Sequence, residues 1–131
     1  MIKGKFSQEI ITLCQELIRI PSVNGKNNEL EIAQFIAGFA RDHGLETELP
    51  ALEPNRPNVL VRLGPSTVPG LVLVGHMDTV PTGKLENWHY PPFSGKITGN
   101  KLFGRGAIDN KGGIAAALGA LLLLNEKMFL F

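Results

Sequence analysis

The chain has one cysteine, one tryptophan, one tyrosine and three histidines among 131 residues, and thirteen basic side chains stand almost balanced by twelve acidic ones. Each shortage excludes something. A single cysteine, Cys14, cannot close an internal disulfide, and its place among Ile10, Leu13, Leu17 and Ile18 reads as a small buried hydrophobe. A formal charge of +1 supplies neither a basic surface for nucleic acid nor an electrostatic membrane anchor. Glu9, Gln15, Glu16 and Arg19 interrupt the apolar pattern near the start, so no export signal is read and the expected setting is cytoplasmic. The longest apolar run, "IAAALGALLLL" at residues 114–124, falls short of the roughly 18 residues a membrane span needs; it predicts a core helix. There is no internal repeat, low-complexity tract or GxxxxGK[ST] motif, and Gly104-x-Gly106 lacks the third glycine of a dinucleotide fingerprint, since Asp109 stands there.

What is present suffices for one globular domain, with 44% hydrophobic residues to build a core and 19% charged to cover it. Ser7 can cap a helix over residues 8–19, in which Ile10, Leu13, Cys14, Leu17 and Ile18 keep the three-four spacing until Pro21 forbids continuation. A second helix is predicted over 28–43, with Ile32, Phe35, Ile36, Phe39 and Ala40 on one face and Gly44 placed for a left-handed C-terminal cap. His43, in its last turn, reads as a solvated partner of the helix dipole. Three strands follow: 45–49, 58–63, and 71–75, the last apolar throughout and therefore expected to be buried and central. Residues 81–106 form a loop with a hairpin across Gly99 and Asn100. Gly112 and Gly113 then lead into the final helix, where they let the backbone pass close to a neighbour. Helices, strands and a helix behind a buried strand indicate an α/β layered sheet.

Two clusters carry chemistry. In "LVLVGHMDTVP", at residues 71–81, His76 and Asp78 stand where the apolar strand runs out; ligands bind beyond the carboxyl ends of strands in open α/β sheets. Residues two apart in extended backbone point the same way, so both side chains would face one site. An imidazole is a common zinc ligand and a carboxylate can orient it, but a structural His–Asp pair has the same spacing. In "GRGAIDNKGG", residues 104–113, Asp109 precedes a glycine-assisted helix start and could act as its N-cap alone.

Taken in order, "LIRIPSV" at 17–23, "GHMDTVP" at 75–81, Trp88 with "PPF" at 91–93, and "LFGRGAIDNKGG" at 102–113 resemble the zinc-dependent metallopeptidase and amidohydrolase family. That family includes acetylornithine deacetylase, succinyl-diaminopimelate desuccinylase, aminoacylases and glutamate carboxypeptidases. The resemblance implies a three-layer αβα sandwich with a mixed, mainly parallel sheet, incomplete in this chain. It implies that His76 ligates one metal, that Asp78 orients His76 as a catalytic residue, and that Asp109 bridges two Zn2+ ions, with Co2+ admissible. It also implies a cis peptide between Asp109 and Asn110. The activity implied is hydrolysis of amide bonds in N-acyl amino acids or small peptides, with a glutamate general base passing the proton of a metal-activated water to the leaving amine.

Catalytic zinc normally takes three protein ligands plus water, and only His76 and Asp109 match here. The family's glutamate pair and its later ligands would fall after Phe131, and Glu126 is too close to Asp109 on the same predicted helix to replace them. Residues 1–131 are therefore expected to be the amino-terminal part of a catalytic domain. The remainder of that domain and a second, lid or dimerisation domain would follow, with a homodimer open to the full-length form. The alternative is a non-catalytic α/β remnant or binding module that kept the scaffold.

Overall fold

A computed structural model describes residues 5–65 and 68–128 of the chain. Its centre is a core shared by three helices. Helix α1, Lys5–Arg19, turns Leu13, Cys14, Leu17 and Ile18 inward, which is the face its three-four spacing dictates. It begins before Ser7, so that residue lies in the first turn rather than at the cap. Helix α2, Leu30–Asp42, buries Ile32, Ala33, Ile36, Ala37 and Ala40, and the Asn28 side-chain oxygen accepts the Leu30 N–H at 3.2 Å. The chain leaves α2 through Gly44 at φ +75°, a left-handed turn that costs glycine nothing.

Strand β1, Glu46–Glu48, pairs antiparallel with β2, Leu60–Arg62. A second antiparallel pair, β3 (Lys96–Thr98) and β4 (Lys101–Phe103), forms the expected hairpin, with Gly99 at φ +58° in its turn. Helix α3, Lys111–Met128, lies against α1 and inserts Ala115, Leu118 and Leu122 into the shared core. Gly119 makes the approach of the two helices close, since a Cβ there would stand 3.1 Å from the Ile10 side chain. Cys14 is buried, as its neighbours required. Among the described residues no helix is long and apolar enough to cross a membrane.

The loop after residue 80 is moored rather than loose. Gln15 donates to the Gly95 carbonyl at 2.8 Å, Arg19 donates to that of Ser94 at 3.3 Å, and the Arg105 guanidinium lies 5.0 Å from the Trp88 ring centroid. Trp88 in turn donates its indole N–H to Thr82 O at 2.8 Å.

The segment at residues 71–75 departs from expectation. It makes no strand ladder among the described residues, and Leu71, Val72, Leu73 and Val74 are 74, 63, 51 and 89% exposed. An all-apolar run encodes a preference for burial between neighbours on both sides; it does not supply them. Here β2 and the α3 side chains Ile114, Leu118 and Leu121 border the segment across a groove of about 640 Å³. His43 departs too. Instead of being solvated, its ring packs on Phe39 at 4.4 Å and bonds to Glu9 at 2.9 Å.

Candidate metal centre

The chain beyond Gly75 is held in place by the turn that follows α1. Thr79 N donates to Ser22 O at 2.8 Å and Asn24 N donates to Thr79 O at 2.9 Å, a short parallel bridge between Val23 and Thr79. The Ser22 hydroxyl adds a 2.7 Å bond to the Met77 carbonyl. Within this clamped stretch the side chains alternate: Met77 packs against the core, and His76 and Asp78 share the other side. His76 Nδ1 lies 3.0 Å from the Asp78 carbonyl oxygen and 3.2 Å from its carboxylate Oδ1. The far oxygen, Oδ2, accepts a 3.0 Å hydrogen bond from the Asn24 amide.

Asp109 arrives from the start of α3. Its carboxylate Oδ1 stands 2.8 Å from His76 Nε2, although 33 positions separate the two residues. The peptide between Asp109 and Asn110 is cis. Two glycines make room for this approach: a Cβ on Gly75 would lie 2.9 Å from the Asn110 side-chain oxygen, and one on Gly113 would lie 2.6 Å from it. The Asn110 side chain thus fits between two bare backbones. Lys111, fully buried, carries its amine to the Ile20 carbonyl at 2.7 Å, so the turn after α1 holds the Asp109 side of the site as well.

Acceptors face both nitrogens of His76, which favours the charged imidazolium. The hydrogen bond to Asp109 is the main reason its pKa stands above the ordinary 6.5; partial desolvation works against it, and the Asp78 carbonyl and the two carboxylate charges add to it. The donor set fits a metal. Imidazole nitrogen and carboxylate oxygen are both zinc donors, and the side chains presenting them are 49 and 82% exposed. The ring's second nitrogen is meanwhile engaged by Asp78, the arrangement that orients ligating histidines. Among the described residues no group of three or more His, Cys, Asp or Glu side chains is arranged to hold a metal ion, so a closed site needs donors beyond these.

His89 is exposed and edge-on to Tyr90 at 5.0 Å. Glu126 lies near the far end of α3. Sequence reading passed over Asn24, Ser22 and Lys111. The first two sit just after Pro21, where short polar side chains commonly bond to nearby backbone, and that was the signal available. Nothing local marked Lys111 as buried.

The model of peptidase family M20/M25/M40 matches residues 72–130. A succinyl-diaminopimelate desuccinylase of Methylorubrum extorquens is 42% identical over 121 residues, covering 89% of this chain and 31% of the relative. A probable succinyl-diaminopimelate desuccinylase of Staphylococcus aureus is 34% identical over 120 residues, covering 92% of this chain and 29% of that protein. The chain thus spans less than a third of the length of these curated relatives. Among solved structures, an M20 family metallo-carboxypeptidase from Sulfolobus solfataricus superposes with a TM-score of 0.79 at 24% identity, over 95% of this chain and 28% of that one. The α/β fold class follows from that match.

Proposed function

We propose, from the match of residues 72–130 to the model of peptidase family M20/M25/M40, that the chain contributes part of the active site of a zinc-dependent amidohydrolase of that family acting on N-acyl amino acids or small peptides. The observation that carries the reading is the 2.8 Å approach of His76 Nε2 to Asp109 Oδ1. In this reading His76 would hold one zinc ion through Nε2 and Asp109 would serve as the carboxylate shared between two. Asp78 accepts the Nδ1 proton and so fixes the tautomer that leaves Nε2 able to ligate. Bound Zn2+, or Co2+ in its place, supplies a water of lowered pKa and a polarised scissile carbonyl. The residues of this chain bind and orient. No carboxylate among the described residues is placed to act as general base.

That base and the remaining ligands belong, in this proposal, to sequence after Phe131, in the rest of the catalytic domain and in a lid or dimerisation domain. Residues 1–131 alone are then inert, and the exposed Leu71–Val74 run makes them prone to self-association. Because the curated relatives are desuccinylases, the acyl group favoured is a short one bearing its own carboxylate, such as succinyl. A cytoplasmic enzyme with a small-molecule substrate, and with neither nucleic acid nor membrane as partner, suits the single cysteine and the charge of +1; a homodimer suits a dimerisation domain.

Elemental analysis of the full-length protein, alongside hydrolysis of N-succinyl and N-acetyl amino acids, tests this reading. Two metal equivalents and hydrolysis are expected, with both metal and activity falling in His76→Ala. A full-length protein that holds no metal and cleaves none of the panel would instead support the non-catalytic scaffold.

A further inference from the structure

We infer that Asn24 is a positioning residue of the metal centre, acting on His76 through Asp78; the inference rests on the metal-hydrolase reading above. A carboxylate offers two acceptor oxygens, and both oxygens of Asp78 are engaged: Oδ1 faces His76 Nδ1 at 3.2 Å and Oδ2 accepts from Asn24 Nδ2 at 3.0 Å. With a contact at each end, the plane of the carboxylate is set. Removing the amide frees it to rotate, and the Asp78 backbone carbonyl, already the nearer oxygen at 3.0 Å from Nδ1, is left as the one fixed acceptor beside that nitrogen. The imidazole would keep its tautomer but lose its charged support, and a less basic imidazole is a weaker ligand.

The side chain of Asn24 is separable from the fold around it. Its backbone N–H donates to Thr79 O, while Ser22 bonds to Met77 and Thr79 through its own hydroxyl and carbonyl. Those bonds join the two segments without the Asn24 amide, whose hydrogen bond goes to Asp78. The neutral amide also matters. An aspartate at position 24 would remove the N–H that Asp78 accepts and set a second carboxylate against it, and like charges at that range disfavour the ionised pair.

The test is a double-mutant cycle on zinc affinity in the full-length protein, read by competition with a chromophoric chelator, with thermal unfolding followed in parallel. Asn24→Ala is expected to weaken zinc binding about tenfold, the low end for partners behind a ligand, with the unfolding midpoint unchanged; Asn24→Asp should weaken it at least as much. In an Asp78→Ala background, Asn24→Ala should cost nothing further, because the path from Asn24 to His76 is already cut. Wild-type protein that binds zinc while Asn24→Ala binds it equally well, or an additive cycle, overturns the inference alone. Wild-type protein that binds no zinc overturns the metal reading and this inference with it.

Discussion

Lys111 Nζ donates a 2.7 Å hydrogen bond to the carbonyl of Ile20, spanning 91 positions to join the start of α3 to the turn after α1. Burial pushes the pKa of its ammonium down to about 8, with Cys14 acting in the opposite direction. The aliphatic stem lies beside Gly106, where a Cβ would come 3.1 Å from Lys111 Cδ and 2.8 Å from Thr79 Cγ2. Lys111→Met keeps the stem and leaves the Ile20 carbonyl unpaired, for an expected loss of about 1–3 kcal/mol. Lys111→Ala also opens a cavity and should lose about 2–5 kcal/mol. Denaturant unfolding of the two variants checks the order; equal losses would mean that the stem contributes no packing.

His76 and Asp78 should fail differently. In the full-length protein His76→Ala is expected to release metal and abolish nearly all hydrolysis. Asp78→Asn should still retain metal at saturating zinc, although it binds the ion more weakly, and should lose about 10–100-fold in rate by weakening the support of the ring. Metal content and kcat measured on both variants decide it, and equal metal loss would make Asp78 itself a ligand.

Two glycines in helices make opposite predictions. A Cβ on Gly112 would collide with the Ala107 carbonyl oxygen, a backbone atom that cannot step aside, whereas one on Gly38 meets nothing within 4 Å. Gly112→Ala should therefore destabilise by about 1–3 kcal/mol and disturb Asp109. Gly38→Ala, in the interior of α2, should stabilise by about 0.5–1 kcal/mol through lost unfolded-state entropy. Thermal melts of the two variants read the sign directly.

His43 gives a pH dependence away from the metal centre. Burial pulls its pKa down, but the Phe39 carbonyl and the Glu9 carboxylate on its two nitrogens outweigh that and hold it above the ordinary 6.5. The folded state then binds the proton more tightly than the unfolded state. The stabilisation is fully present below pH 6.5 and is lost as pH rises through the folded-state value. Glu9→Gln should flatten this part of the stability profile, measured by denaturant midpoints from about pH 5 upward; an unchanged profile would mean that the pair contributes nothing.

Features that depend on near neighbours along the chain are legible in the residues alone. The three-four spacing of Leu13, Cys14, Leu17 and Ile18 settles the buried face of α1, and Gly44 and Gly99 mark turns that need positive φ. His76, Asp78 and Asp109 stood out as chemistry at element ends, because their residue types and flanking glycines are visible without any fold. Tertiary structure decided what depends on distant partners. Nothing beside Lys111 in the chain says that a lysine will be fully buried; that follows from α3 lying against α1. Nothing beside His43 names Glu9, and nothing beside Asn24 names Asp78, since the pairs are 34 and 54 positions apart. Residues 71–74 show the same division from the other side: their composition states a preference for burial, yet whether apolar surface is covered depends on which segments of chain come to lie alongside it.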